Sequence, residues 1–87
     1  MEKPNSGQGG APAVEVYSTP TCPYCHMAKQ YLQSKKVAFK DIDVSRDMAA
    51  AQRMMAATGQ VGVPQLRING EWIVGFDRPA IDRALVG

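Results

Sequence analysis

The chain has 87 residues, is 45% hydrophobic, and carries ten basic against eight acidic side chains for a net charge of +2. That length holds one small domain with a single core, and the composition is globular rather than disordered. The weak, dispersed charge argues against nucleic acid or a membrane surface as partner. Two cysteines are too few for a disulfide scaffold, and no stretch approaches a membrane span.

In chain order, residues 1–12 are polar and rich in Gly and Pro, with no apolar h-region of a signal peptide. They are expected to form a disordered tail ahead of a domain spanning 13–87, and a cytoplasmic location is the default. Val14 to Tyr17 alternates as a strand does, and Ser18-Thr19-Pro20-Thr21 reads as a loop. Pro23 suits the first position of a helix, where its missing N–H costs nothing. This predicts a helix from Pro23 to about Ser34 with Cys22 as N-cap, the Cys25 N–H within reach of the Cys22 sulfur, and Met27, Ala28, Tyr31 and Leu32 on one face. Lys35 and Lys36 read as its solvated end.

A short strand follows around Ala38–Val44, with an imperfect phase because Phe39 and Ile42 fall on opposite parities. Ser45 is the expected N-cap of the next helix, with Asp47 in its first turn, Met48, Met54 and Met55 as core, and Gly59 as its stop. Gln65–Ile68 and Glu71–Val74, joined by Asn69-Gly70, predict a hairpin with a type I′ turn. Pro79 opens a last helix in which Ile81, Ala84 and Leu85 share a face. The order β-α-β-α-β-β-α specifies an α/β fold with a mixed sheet and helices on both faces.

The chemistry concentrates at Cys22-Pro23-Tyr24-Cys25, between the first strand and its helix. The free N–H groups and dipole of a first helical turn favour thiolate over thiol, and thiolate is the species that attacks disulfides. Zinc needs four ligands, and these two sulfurs with His26 fall short of that within one chain. A purely structural disulfide would close too small a loop to constrain the unfolded chain much. The favoured reading is a redox pair in which Cys22 attacks, forming a mixed disulfide, and Cys25 resolves it, with no metal. Tyr24 is read either as a surface against the bound substrate or as an exposed tyrosine without a role. His26, about 100° round the helix from Cys25, is expected to face solvent. Only about one X-Pro bond in twenty is cis in folded proteins, so residues alone predict a trans Val63-Pro64 bond.

The CPYC tetrad after Tyr17-Ser18-Thr19-Pro20-Thr21, Val63-Pro64 before a strand, and Gly75-Phe76-Asp77 after the hairpin together resemble a dithiol glutaredoxin, over about Ala13 to Val86. The resemblance implies a thioredoxin-like fold: a four-stranded mixed sheet of order 2-1-3-4 with three helices, and a cis Pro64 beside the cysteines. It implies that the Val63 backbone pairs with the substrate. It also implies an enzyme that reduces protein disulfides and glutathione mixed disulfides, with glutathione as the reducing cosubstrate and no bound cofactor. Tyr24 and Pro23 would flank the thiol, and Gly75, Phe76 and Asp77 would meet the γ-glutamyl end of glutathione. The chain departs from the family where glutathione is gripped. Thr19 stands where many members carry lysine, Gly62 where threonine is usual, and Val74-Gly75-Phe76-Asp77-Arg78 where a Gly-Gly-x-Asp-Asp element is expected. Gln60 and Arg78 are candidates to replace the missing positive charge.

Gly75-Phe76-Asp77-Arg78-Pro79 is also similar to the Gly-Phe-Arg-Pro of a glutaredoxin-like subfamily that takes electrons from thioredoxin reductase and serves ribonucleotide reductase. That makes thioredoxin reductase the alternative partner. A reading of another class is an iron–sulfur or metal carrier ligated by Cys22. The absence of an obvious apolar surface stripe in the sequence predicts a monomer.

Overall fold

A computed structural model describes residues 13–86; the expected tail at 1–12 lies outside them. The elements are β1 (Val14–Ser18), α1 (Pro23–Ser34), β2 (Lys40–Asp43), α2 (Met48–Thr58), β3 (Gln65–Ile68), β4 (Glu71–Val74) and α3 (Arg78–Val86). The strands form one sheet in the order β2-β1-β3-β4. β1 runs parallel to β2, with Val16 opposite Asp41, and antiparallel to β3, with Val16 opposite Leu66. β4 closes the hairpin against β3, with Leu66 opposite Ile73. This is the expected 2-1-3-4 mixed sheet. Asn69 and Gly70 both have positive φ (52° and 87°), as a type I′ turn requires.

The alternation along β1 divides the core between the two sheet faces. Val14 and Val16 face α1 and α3, and pack with Ala28, Leu32, Leu66, Ile68, Ile73, Ile81 and Ala84. Tyr17 faces α2 with Ile42, Ala50 and Met54, and its ring lies 4.8 Å from that of Trp72. Because helices cover both faces, either parity of a strand can be buried. That resolves the phase of the second strand: Phe39 packs toward the α1 side and Ile42 toward the α2 side.

Three local expectations are corrected. The N-cap of α2 is Asp47, whose carboxylate accepts the Ala50 N–H at 3.0 Å; the Ser45 hydroxyl is taken by Asp43 two residues earlier. Of the methionines read as core only Met54 is buried, while Met48 and Met55 are exposed, as is Met27 on α1. An 11-residue helix lying on one sheet face turns only part of its surface inward, and Met48 and Met55 fall on the outer part. Lys35 is engaged rather than simply solvated, pairing with Asp82 at 3.5 Å and lying over the Tyr31 ring. The expected glycine stop holds: Gly59 caps α2 at φ 72°.

Replacing Asp47 with alanine is expected to lower the unfolding free energy by about 1 kcal/mol. Ser45→Ala should lower it by less than half as much, both read from urea denaturation.

Candidate active site at the start of α1

β1 ends at the buried Ser18, and three loop residues later Cys22 adopts an extended backbone (φ −95°, ψ 112°) as N-cap of α1, with Pro23 in its first turn. The Cys22 sulfur accepts the Cys25 N–H at 3.3 Å, the contact expected from the spacing. A sulfur so placed satisfies one of the unpaired amides of the first turn and sits at the positive end of the helix. The Cys22 thiol also points to the Val63 carbonyl, 3.8 Å away across the sheet end.

The Val63-Pro64 peptide bond is cis, as the family resemblance implied and against the trans expectation from the residues alone. The Pro64 carbonyl that follows it is held by the end of the hairpin, because the Gly75 N–H donates to it at 2.9 Å. Gly75 has φ 87°, a conformation that costs glycine nothing and strains other residues. Cys22, Val63, Pro64 and Gly75 are thus brought to one place from three segments.

The remaining candidates are placed differently. Tyr24 is exposed beside the thiol, at 62% of its surface. Gln60 is exposed on the loop after α2, and its backbone carbonyl accepts a hydrogen bond from the Gln65 side chain. Phe76 packs edge-on against Tyr31 with centroids 5.9 Å apart, and the Asp77 carboxylate accepts the Ala80 N–H at 3.2 Å at the start of α3. Phe76 and Asp77 line an open cleft of about 620 Å³ with Arg78, Pro79 and Asp82. His26 is exposed, as expected, with Nε2 3.1 Å from the Pro20 carbonyl.

Cys25 is fully buried one turn behind Cys22, and both thiols are free. Its thiol is pushed up to about 11, chiefly by burial and next by the hydrogen bond and charge of Cys22. A backbone hydrogen bond from Thr19 and the Lys29 ammonium act the other way. The two cysteines therefore differ sharply in accessibility, and the inner one is held as a neutral thiol at physiological pH. The sign follows from the raised value. The protonated Cys25 favours the fold fully below its ordinary value of 9.0, and that contribution is lost as pH rises toward 11.

Two residues near the pair carried no signal in the sequence analysis. Gln65, directly after the cis-proline, is completely buried, and its amide nitrogen donates to the carbonyls of Gln60 and Gly62, both at 3.0 Å. It fastens the loop that presents Val63. Lys29 lies on α1 one turn after Cys25, and its ammonium donates to the Asp41 carboxylate of β2 at 3.0 Å. Burial opposes ionisation of Asp41, but the Ser18 hydroxyl and the Lys29 ammonium outweigh it and hold the carboxyl below its ordinary range. No cluster of three or more His, Cys, Asp or Glu among the described residues is arranged to hold a metal ion. None of their helices is long and apolar enough to cross a membrane.

A free thiol capping a helix, a second thiol buried behind it and a cis-proline opposite define a thioredoxin-like dithiol protein. The comparisons with known proteins narrow that class. Residues 14–73 match the glutaredoxin family model. A glutaredoxin-like 8.6 kDa protein of the rubredoxin operon of Clostridium pasteurianum is 43% identical over 72 residues, covering 83% of this chain and 96% of that one. Glutaredoxin 3 of Escherichia coli K12 is 41% identical over 64 residues, covering 74% and 77%. Among solved structures, the thioredoxin-like protein BC3987 superposes with a TM-score of 0.76 at 32% identity, covering 82% and 97%. NrdH-redoxin of Escherichia coli, described as a glutaredoxin-like protein with a thioredoxin-like activity profile, superposes at 0.74 with 25% identity, covering 82% and 92%. The chain belongs to the glutaredoxin family, thiol oxidoreductases of thioredoxin-like fold.

At pH 7.5 iodoacetamide should modify Cys22 at least about tenfold faster than Cys25, because the inner thiol is fully buried and only the outer sulfur is reachable. Peptide mass mapping over time reads the ratio. Equal rates would mean that Cys25 is not shielded as the structure places it.

Proposed function

We propose that this protein is a dithiol glutaredoxin that reduces protein disulfides and glutathione mixed disulfides, with glutathione as electron donor. The observation that carries the reading is the Cys22 sulfur at the N-cap of α1, accepting the Cys25 amide and facing Val63. The Cys22 thiolate attacks a substrate disulfide, one sulfur–sulfur bond forms as another breaks, and the leaving thiolate takes up a proton. Either Cys25 then attacks, forming the Cys22–Cys25 bond, or a glutathione thiolate attacks, forming glutathionyl-Cys22. In each case the reduced product leaves as a thiolate, and further glutathione restores the free thiols and departs as glutathione disulfide. The exposed Tyr24 and the Val63 backbone flank the sulfur that a substrate must approach. In this reading the protein works in the cytoplasm as a monomer and holds no cofactor.

The grip on glutathione is weaker than the family pattern, and this favours a second reading. Asp77 is engaged as a helix cap, Phe76 is turned toward Tyr31, and Thr19 and Gly62 stand where the family carries lysine and threonine. Losing one charge-assisted contact costs about 1.5–3 kcal/mol, which is tenfold or more in affinity. Thioredoxin reductase is then the alternative donor, with ribonucleotide reductase as the acceptor. The likeness to NrdH-redoxin supports that alternative, and the CPYC tetrad and the likeness to glutaredoxin 3 support glutathione.

Paired coupled assays decide between the two. The oxidised protein is offered NADPH with glutathione and glutathione reductase, or NADPH with thioredoxin reductase, and a small mixed disulfide as acceptor. Turnover with glutathione alone is expected, and turnover with thioredoxin reductase alone would overturn the proposed donor. Cys22→Ser should abolish turnover in either assay, and full activity in that variant would remove Cys22 from the role of nucleophile.

A gain-of-contact variant tests the same point from the other side. Gly62 is exposed and a β-carbon added there would meet nothing within 4 Å, so the position has room to begin a side chain, and Gly62→Thr is the variant of choice. Together with Thr19→Lys it should lower the KM for glutathione about three- to tenfold and leave stability unchanged.

A further inference from the structure

A buried thiol that is neutral at pH 7 must lose its proton before it can attack a mixed disulfide, so the surroundings of Cys25 set the speed of that step. Lys29 is four residues on from Cys25, which places both on one side of α1. It is a lysine with only 17% of its side chain exposed, and its ammonium is fixed at 3.0 Å from Asp41. Asp41 is in turn fixed by the Ser18 hydroxyl at 2.8 Å. Ser18 directly precedes Thr19, whose backbone bonds the Cys25 sulfur. The cation behind Cys25 is therefore held from two strands. A cleft of about 270 Å³, lined by Ser18, Thr19, Pro20, His26, Lys29, Asp41 and Asp43, reaches it from solvent.

We propose that Lys29, anchored by Asp41, is the positioning residue that stabilises the Cys25 thiolate during resolution of the mixed disulfide. The inference rests on the disulfide-exchange reading of the cysteine pair, but not on the identity of the electron donor. In the step, Cys25 loses its proton to solvent. The Cys25–Cys22 disulfide forms, the bond between Cys22 and the substrate sulfur breaks, and the departing thiolate is protonated by solvent.

Other charges near the pair are accounted for. Cys22 caps α1; besides Cys25 and Lys29 the titratable groups on the helix are the exposed Tyr24, His26, whose ring faces the Pro20 carbonyl, and Tyr31, whose hydroxyl donates to Asp82. From β2, Asp41 is paired with Lys29, and Asp43 is bonded to Ser45. The segments 18–21 and 62–64 present only neutral side chains. At the start of α3, Asp77 caps the helix and Arg78 lies over the Tyr31 ring. Lys29 is the cation left to act on Cys25, consistent with the downward pull of its ammonium on that thiol.

The test uses 4,4′-dithiodipyridine with the reduced protein in stopped flow. The first equivalent of thiopyridone reports attack by Cys22, and the second reports displacement by Cys25. For Lys29→Gln the pH midpoint of the second phase should rise by about one unit. At pH 7 a one-unit rise lowers the thiolate fraction about tenfold, while the more basic sulfur gains about threefold in nucleophilicity. The second phase should therefore slow about threefold, with the first phase unchanged and Lys29→Arg restoring the wild-type rate. Lys29→Met, which keeps the aliphatic stem, replaces the glutamine variant if that one does not fold.

An unchanged second phase, or equal slowing of both phases, would overturn the inference and leave the ion pair a brace between α1 and β2. A wild-type protein that never releases the second equivalent would overturn the exchange reading itself, and this inference with it.

Discussion

The hydrogen bond from the Cys25 amide to the Cys22 sulfur joins the folding of α1 to the chemistry of the site. A helix leaves its first amides without partners, and a serine, threonine or aspartate commonly supplies the missing acceptor. Here a thiol does so at 3.3 Å. The same contact places the sulfur in the field of the helix dipole, and the thiol faces the Val63 carbonyl ahead of β3. The first turn of α1 and the reactive group are therefore one structural unit. A substitution at Cys22 affects both the start of α1 and the chemistry.

The rest of the site is arranged around that contact by backbone atoms more than by side chains. The cis Val63-Pro64 bond, the Gly75 amide on the Pro64 carbonyl and the Thr19 hydrogen bond to Cys25 are all main-chain features. Gln65 reinforces them from below by bonding two carbonyls of the preceding loop. Such a frame tolerates change at the half-buried Thr19 and the exposed Gly62 and Arg78, which is where the chain departs from the family pattern. Variation in the electron donor can then be accommodated at the rim of the site while the exchange chemistry stays in place.

Much of this was legible in the residues, for reasons of local physics. Proline at a first helical position, Asn-Gly between alternating runs and glycine after a helix each have one dominant solution, and Pro23, Asn69-Gly70 and Gly59 all take it. What was not legible depended on competition or on distant contacts. Ser45 and Asp47 are both good caps, and only the capture of Ser45 by Asp43 decides between them. Helical spacing does not tell which side of α2 meets the sheet, so Met48 and Met55 read as core although they face outward. The isomer of Val63-Pro64 has no local signature. Nothing in the residues singles out Lys29, because its partner Asp41 comes from β2, twelve residues away.

The sheet order has a consequence for what can attach to the molecule. A four-stranded open sheet has two edges, each with unpaired amides and carbonyls that can template another strand. At one of them β2 reads Lys40-Asp41-Ile42-Asp43, so three of its four residues are charged. An extended chain laid along that edge would have to strip water from those side chains, which disfavours pairing. The charged edge thus guards against indiscriminate strand addition. A protein that exchanged disulfides with other chains, as proposed above, would gain from keeping one flank of its sheet unattractive to them.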